Sequence, residues 1–550
     1  MDDKEKDKLL ENLPACAAEY ITLVIKKMRY RKKVRADVMS ELAAHFEDEL
    51  RDCKTDEEKE QKAQRLIENF GDPKLLAILM RRAKKRCRPL WRTIAARTFQ
   101  AAGVLILCLT LYTAWFLSGK PRVTINYVDQ FNRMVRPTAD ESLNAAPLYD
   151  EAAKRYEKNL QDCNELAKLS GKKFHKLTDE QKPTVEKWLA DNKEILDVVV
   201  AGSNKPYFWQ TFNGDENTDL MSILMPFLGN YRHLAYALHW RAQSNAEKGN
   251  FKDAFDDIKT VYRVGRHLTA DKGTFVEQLV GMAFKALSVG TLRDILGHNR
   301  IDSVTLAAIQ NDFEQLIANN DFTVSIEAEK LFVYDEAQRC FTDDRFGGGH
   351  LYLKKVAEFS LGEPNYPNLR LFETLMNKGP VRILFTHPNK QQTMETADRY
   401  YTFFEKIAHK TPAQVKAEGI IIDEQEMKIV KGNVLLETLV PATRKVIEIG
   451  YRNKVDVEST LPLIAILRYK QDVGDYPENL DKLVETGYLK KIPIDPFSDK
   501  PLGYKKTSDN FIIYSFGENC QDDDGQPDRD KEGKIIPFPD KGDWIFWPVE

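Results

Sequence analysis

The chain has 550 residues, of which 42% are hydrophobic and 30% charged, and these values indicate a folded rather than a disordered protein. Its formal net charge of −3 is too small to indicate nucleic acid as a partner. Seven cysteines without a C-x-x-C pair exclude a disulfide scaffold and do not support zinc-ribbon or thioredoxin-like chemistry. The length predicts three or four domains.

Residues 1–97 predict a small cytoplasmic bundle of helices. The N-terminus has no apolar stretch of the kind found in cleaved signal peptides. Apolar residues recur at helical spacing between residues 34 and 53, and they are Val38, Leu42, Phe46 and Leu50. Helix boundaries follow from a capping pair, a C-terminal glycine and an Asp-Pro start, formed by Thr55, Glu58, Gly71, Asp72 and Pro73.

Two short motifs in this bundle carry a family resemblance. The first is E-L-A-A-H-F-E-D at residues 41–48, and the second is F-G-D-P at residues 70–73. Together they resemble HAAS-type signalling domains, which lie on the cytoplasmic side of bacterial membrane proteins. His45 lies one helical turn from Glu41 and Glu49, and a surface histidine on an acidic face is favoured over a ligand role.

A single membrane span is predicted at residues 98–119. The stretch FQAAGVLILCLTLYTAWFLS is uncharged over the roughly 20 residues that a helix needs to cross a bilayer. Basic residues are concentrated before it, at Arg81, Arg82, Lys84, Lys85, Arg86, Arg88, Arg92 and Arg97, whereas Lys120 and Arg122 follow it. Because positive charge stays cytoplasmic, we expect the N-terminus inside and the C-terminal part outside.

Residues 120–455 predict a large, irregular helical domain outside the membrane. Its clearest part is a helical hairpin that turns at Gly249 and resembles one tetratricopeptide unit, although a solenoid needs about three such units. Between residues 321 and 410 the helical pattern loosens, which predicts a long loop or a cap over the helices. The extracytoplasmic histidines are scattered, and their spacing predicts no pair of metal ligands.

Residues 456–550 predict an α+β domain with a small antiparallel sheet. A helix ending at Gly474 is followed by two strands that form a hairpin and by a third, aromatic-rich segment. The segment resembles the C-terminal half of the major pseudopilin of type II secretion. The resemblance rests on Tyr469, Lys470, Gly474, Tyr476, Pro477, Leu480, Leu483, Tyr488, Leu489, Asp495, Pro496, Phe497, Pro501, Tyr504, Tyr514, Ser515, Phe516, Gly517, Asp543 and Trp544.

The pseudopilin resemblance implies a structural calcium ion in the acidic segment after the second strand. The candidate ligands are Asp522, Asp523, Asp524, Asp528 and Asp530. Calcium prefers six to eight oxygen ligands, which carboxylates and backbone carbonyls supply. The alternative is a solvated acidic turn, and the spacing excludes an EF-hand. A pseudopilin leader and its continuous apolar helix are not seen, so we expect the fold rather than polymerisation to carry over.

These patterns predict a single-pass bacterial inner-membrane protein with a non-enzymatic scaffold or interaction role at the envelope, and the expected partners are the membrane and envelope proteins. The pseudopilin resemblance implies a link to secretion. The first alternative is a transmembrane signal transducer that senses an extracytoplasmic ligand. The second is an envelope hydrolase with His350 or His387 beside a carboxylate in a deep pocket. Of Cys163, Cys340 and Cys520, at most two can pair outside the membrane.

Overall fold

The computed structural model describes residues 3–86, 90–160, 169, 172–223, 225, 227–270, 272–318, 322–343, 348–355, 386–440, 443–536 and 538–548. The described chain is mostly helical with a small antiparallel sheet and contains one helix that is long and apolar enough to cross a membrane. It divides into two compact units, Met1–Trp115 and Phe116–Glu550.

The first unit is a helical bundle continued by a long apolar helix. Its helices are α1 (Asp3–Leu10), α2 (Ala15–Lys27), α3 (Lys32–Leu50), α4 (Asp56–Phe70), α5 (Pro73–Arg86) and α6 (Leu90–Leu117), of which the last reaches into the second unit. The helix α2 packs against α3, α4 and α5, and the predicted stripe of α3 is buried in this core. Thr55 and Asp72 accept backbone N–H groups at the starts of α4 and α5, as their positions in the sequence predict.

The helix α6 contains the candidate membrane span, Ile94–Leu117. None of its most apolar 18-residue window is buried by the rest of the protein, and Phe99 and Leu105 are 79% and 70% exposed. Side chains of this kind are stable at such exposure when lipid surrounds them. The helix begins at Leu90, earlier than the sequence pattern predicts.

The second unit contains the remaining elements. Its α-helices are α7 (Tyr127–Val135), α8 (Ala146–Leu160), α9 (Gln181–Asp191), α10 (Lys193–Ser203), α11 (Phe227–Glu247), α12 (Phe251–Leu268), α13 (Phe275–His298), α14 (Ser303–Ile317), α15 (Glu327–Cys340), α16 (Lys390–Ala408), α17 (Pro412–Ala417), α18 (Ile422–Val430), α19 (Val434–Leu439), α20 (Thr443–Glu458), α21 (Thr460–Val473) and α22 (Leu480–Glu485). Its strands are β1 (Ile494–Asp495), β2 (Lys500–Pro501), β3 (Gly503–Lys506), β4 (Phe511–Ser515) and β5 (Trp544–Trp547).

The helix α13 is the centre of the second unit, as its apolar sequence predicts. It packs against α11, α12 and α20. The crossing with α12 is close because Gly265 and Gly281 face each other, and a Cβ on either glycine would lie 2.6 Å from the other's carbonyl oxygen. A side chain at either position would therefore push the two helices apart.

The expectation of a long loop between residues 321 and 410 is wrong for two stretches. The helices α15 and α16 occupy residues 327–340 and 390–408, while residues 344–347 and 356–385 lie outside the described chain. The helix α15 has no simple apolar stripe because it buries polar side chains among the apolar ones, including Asp335, Glu336 and Arg339. A pattern search based on amphipathic spacing misses such a helix.

The C-terminal sheet follows the predicted hairpin. The strands β3 and β4 pair antiparallel with Tyr504 opposite Ile513, and β5 adds to β4 in the order β3-β4-β5. One hydrophobic core contains Tyr262 and Phe313 of the helical part together with Ile464 and Trp544 of the C-terminal part. The predicted border at residues 455/456 falls within α20, and a domain division there stays a prediction.

A buried ion pair joins these parts. Arg293, on α13, donates from Nη1 to Asp456 Oδ1 at 2.6 Å, and from Nη2 to Ser459 Oγ at 3.0 Å. Its guanidinium also lies over the ring of Phe546, on β5, 5.2 Å from the centroid. Arg293 therefore links the central helix, on which it lies, to the junction of α20 and α21 and to the sheet.

We expect Arg293→Met to lower the free energy of unfolding by about 3–5 kcal/mol, because it leaves the buried Asp456 carboxylate without its partner. The double variant Arg293→Met/Asp456→Asn should recover part of this loss. Urea unfolding of the full-length chain in detergent micelles, followed by tryptophan fluorescence, measures both. Lys482→Met, which removes the exposed pair with Glu485, is the control and should cost less than about 1 kcal/mol. If Arg293→Met and Lys482→Met lowered the free energy of unfolding equally, the role of Arg293 would be contradicted.

Candidate functional site

The acidic segment lies between β4 and β5, and a buried carboxylate fixes where it begins. Asp495 is fully buried and accepts hydrogen bonds from Ser515 Oγ and Phe516 N, each at 2.9 Å. Burial raises the pKa of Asp495, and the hydrogen bonds that it accepts oppose the rise. The end of β4 is therefore tied to β1 just before the aspartates begin.

A second buried carboxylate, Asp543, organises the acidic segment itself. It accepts the N–H groups of Gly525 at 2.7 Å and Asp523 at 3.3 Å. Burial raises the pKa of Asp543 to about 6; these two N–H groups oppose the rise, and the charges of Asp522 and Asp523 add to it. The segment thus wraps around Asp543, whose ionised form is disfavoured by the negative charges of Asp522 and Asp523. A bound cation would offset this repulsion.

The five candidate ligands do not all meet at one point. Asp522 accepts a hydrogen bond from Tyr514 Oη at 3.0 Å, and Asp523 accepts one from Asn519 Nδ2 at 2.8 Å. Asp524 is paired with Lys505 Nζ at 2.5 Å. Asp528 accepts the N–H of Arg529, and Asp530 accepts those of Glu532 and Lys534, each at 2.9 Å.

Apart from Asp524, which pairs with Lys505, the aspartates fall into two sets. Asp522 and Asp523 approach Asp543, whereas Asp528 and Asp530 cap backbone turns further along. Within the described residues, which omit residue 537 of this segment, no three of these carboxylates have ligand oxygens all within 4.8 Å of one another. A calcium ion that drew on Asp522, Asp523 and Asp543 would therefore require these side chains to move closer together, with backbone carbonyls and water in the remaining positions.

An apolar cleft of about 400 Å³ lies beside the acidic segment. Its apolar walls are formed by Ile407, Val415, Ile420, Ile447, Tyr451 and Phe497, and Glu518 and Cys520 of the acidic side line one edge. Ile421, at the mouth, is 56% exposed. The cleft therefore presents apolar surface to solvent on the same face as the candidate ion site.

Charged residues surround the cleft in pairs. Lys410 Nζ lies 2.5 Å from Glu418 Oε1, Arg444 pairs with Glu448 at 2.7 Å and with Asp423, and Lys416 Nζ donates to the carbonyl oxygen of Asn519 at 2.7 Å. The last bond ties α17 to the start of the acidic segment. An apolar centre with a polar rim is the composition of protein interfaces.

A second cavity of about 400 Å³ contains His267 in its lining. Its Nε2 donates to the carbonyl oxygen of Lys205 at 2.9 Å, so Nδ1 accepts the Tyr149 hydroxyl at 2.8 Å. Burial lowers the pKa of His267 to about 4. Both ring nitrogens are engaged, and the ring remains neutral at physiological pH.

His350 and His387, the candidates for hydrolase chemistry, are both half-buried. His350 Nδ1 lies 2.5 Å from Thr342 Oγ1, and its ring packs on Phe116 with the centroids 4.6 Å apart. His387 Nδ1 bonds to the carbonyl oxygen of Pro388 at 2.7 Å. Neither lines the two cavities described above, and Gly347 of the glycine run lies outside the described residues.

Sequence reasoning missed one group of ligand-type side chains. His175, Asp294 and His298 offer ligand atoms that all lie within 4.8 Å of one another. The spacing of the histidines does not predict that His175 and His298 lie next to each other, as they do in the structure. No spacing rule links a histidine in a short 3₁₀ turn to one at the end of α13, so the pair becomes visible only in the fold.

Comparison with known family models, with curated proteins and with solved structures finds no match for this chain.

We expect calcium to raise the thermal midpoint of the full-length chain in detergent micelles if the acidic segment binds it. A calcium concentration 100-fold above Kd adds about 2.7 kcal/mol, or a few degrees, and a chelator should remove the shift. Asp522→Asn/Asp523→Asn/Asp524→Asn should abolish it, whereas Asp509→Asn, in the turn before β4, should not. An unchanged midpoint in the native chain would leave these aspartates as turn-capping residues only.

Proposed function

We propose that this chain is a single-pass protein of a bacterial inner membrane and that it acts as a non-enzymatic scaffold at the envelope. In this proposal residues 1–97 are cytoplasmic, residues 98–119 span the membrane, and residues 120–550 bind a protein partner outside. The observation that carries the proposal is the exposed apolar helix Ile94–Leu117, which has a packed unit on each side of it in the sequence. The resemblances to HAAS-type domains and to pseudopilins support an envelope location.

The orientation rests on the distribution of positive charge around the span. Basic residues are dense in the 17 positions 81–97 and sparse after the helix. We expect an export-dependent phosphatase fused after Glu550 to be active, and a reporter that needs the cytoplasm to be inactive there. The matched fusions before Met1 should give the reverse pattern. Cytoplasmic activity of the C-terminal fusion would overturn the proposed topology.

The partner site in this proposal is the apolar cleft beside the acidic segment. Its walls are apolar, its rim is charged, and the exposed Ile421 stands at its mouth. A partner segment that inserts an apolar side chain would bury this surface, while the paired charges at the rim would stay hydrated. A calcium ion on the acidic segment would stiffen the edge that carries Glu518 and Cys520.

The hydrogen bonds of His267 favour a structural role for this side chain in the second cavity. A histidine that acts as a general base needs a ring nitrogen with a free lone pair and a pKa close to the operating pH. His267 has one nitrogen donating to Lys205 and the other accepting from Tyr149, and its pKa is lowered to about 4. This histidine therefore holds the cavity wall together rather than moving a proton.

A photoreactive phenylalanine analogue tests the cleft directly. Placed at position 421, it should form a discrete adduct with one envelope protein in living cells, because this side chain stands at the mouth of the cleft. The matched control is position 427, which is also apolar and 66% exposed but is not part of the cleft lining. Val415→Asp, which places a charge in the wall, should abolish the adduct. Equal adducts from both positions would contradict the proposed site.

A second candidate function is transmembrane signalling. The first unit has a hydrophobic core of its own, formed mainly by α2, α3 and α5. This observation favours signalling, because a separately folded cytoplasmic unit is suited to binding a regulator. Deleting residues 1–86 distinguishes the two functions. Scaffolding predicts that the adduct at position 421 survives, whereas signalling predicts that the cytoplasmic response to the partner is lost.

A further inference from the structure

We propose that His175, Asp294 and His298 form a binding site for a divalent transition-metal ion, with zinc as the natural probe. This site is separate from the cleft and the acidic segment and does not depend on the proposed scaffold role. The ligand atoms of the three residues lie within 4.8 Å of one another, and the two imidazole rings are 4.3 Å apart at their centroids. Two imidazoles and a carboxylate form a ligand set that zinc accepts, with water in the fourth position.

Contacts with Asp294 hold both rings beside its carboxylate. His175 Nδ1 lies 3.1 Å from Asp294 Oδ2, and His298 Nδ1 lies 2.8 Å from the backbone carbonyl oxygen of Asp294. The Nδ1 atoms are the ring nitrogens nearest the carboxylate, since His298 Nδ1 also lies 3.8 Å from Asp294 Oδ1. A metal ion that Asp294 shares would therefore be bound through Nδ1 of both rings, after the proton on His298 Nδ1 moves to Nε2.

The site is built on a buried carboxylate and opens towards solvent. The Asp294 side chain is 3% exposed, those of His175 and His298 are 24% and 48% exposed, and Gln243 Nε2 fixes Asp294 Oδ2 at 2.6 Å. Zinc bonds of about 2.0–2.2 Å require ligand atoms within about 4.2 Å of one another. The ligand atoms lie within 4.8 Å of one another, so metal binding requires a small movement, for which the more exposed His298 side chain has the most room.

Lys173 is the competing cation. Its Nζ lies 2.9 Å from Asp294 Oδ1, where it neutralises the carboxylate and repels an incoming metal ion. Metal binding would displace this ammonium group, whose side chain is 33% exposed. Removing Lys173 should therefore tighten metal binding, an effect that a purely structural role of the histidines would not produce.

The test measures zinc binding to the metal-free, full-length chain in detergent micelles by competition with a chromophoric chelator, with cobalt absorption as a second readout. We expect one zinc ion per chain that excess calcium does not displace. Removing a residue that only supports a metal ligand weakens metal binding about 10–100-fold. His175→Ala and His298→Ala remove ligands themselves, so each should weaken binding by at least this much. Lys173→Met should strengthen it several-fold.

His233→Ala is the matched control, because His233 is also half-buried and stacks on an aromatic ring, that of Tyr156, with the centroids 5.8 Å apart. It should bind zinc as the native chain does. Equal binding by the native chain and His175→Ala would overturn the proposal, as would a weaker affinity in Lys173→Met. The absence of zinc binding to the native chain would overturn it as well.

Discussion

The ion pair between Arg293 and Asp456 is the constraint on which the C-terminal half depends. Burial of two opposite charges costs less when their polar atoms keep hydrogen bonds, and here Ser459 and Thr460 accept from Nη2 of Arg293, whereas its Nε has no hydrogen-bond partner among the described residues. The same guanidinium lies over Phe546, on β5. Since Asp543 immediately precedes β5, the position of this strand also decides where the carboxylate at the centre of the acidic segment lies.

The sheet in turn positions the cleft. Asp495 holds the end of β4, and the neighbouring Pro496 accepts the N–H of Ala413 at 3.2 Å. Asp499 accepts the Thr411 hydroxyl at 2.9 Å, so the start of α17 is fastened to the β1–β2 hairpin by two bonds. Phe497, from the same hairpin, forms part of the cleft wall. The candidate ion site and the candidate partner site thus share the β1–β2 hairpin as a backbone support.

Local signals in the sequence predict element boundaries well. The caps at Thr55 and Asp72 and the turn at Gly474 end or begin helices where expected, because each rests on chemistry within a few residues. The alternating residues of β4 likewise predict its pairing with β3. The helix α15 is missed because distant partners hold some of its buried polar side chains: Asp335 accepts the N–H of Leu220 at 2.7 Å, and Arg339 donates to the carbonyl oxygen of Thr218 at 2.6 Å. No local pattern contains that information.

The candidate sites follow the same division. The acidic segment is visible in the sequence as a run of carboxylates, yet the run does not indicate that Asp528 and Asp530 are used to cap turns while Asp543 takes the central position. His175 and His298 meet only because a 3₁₀ turn and the end of α13 are packed together, and the Arg293–Asp456 pair is likewise a contact between residues far apart in the chain.

The helix α13 connects the proposed metal site to the main structural constraint. Arg293 and Asp294 are neighbours on it, and successive helical residues point about 100° apart, since a turn holds 3.6 residues. Arg293 consequently faces the junction of α20 and α21, while Asp294 faces His175 and Lys173. A cation bound at Asp294 would cross-link this turn to the 3₁₀ segment Phe174–Lys176. The same turn would then be held by an ion pair on one side and by a metal on the other, so that metal binding would reinforce the contact that positions the sheet.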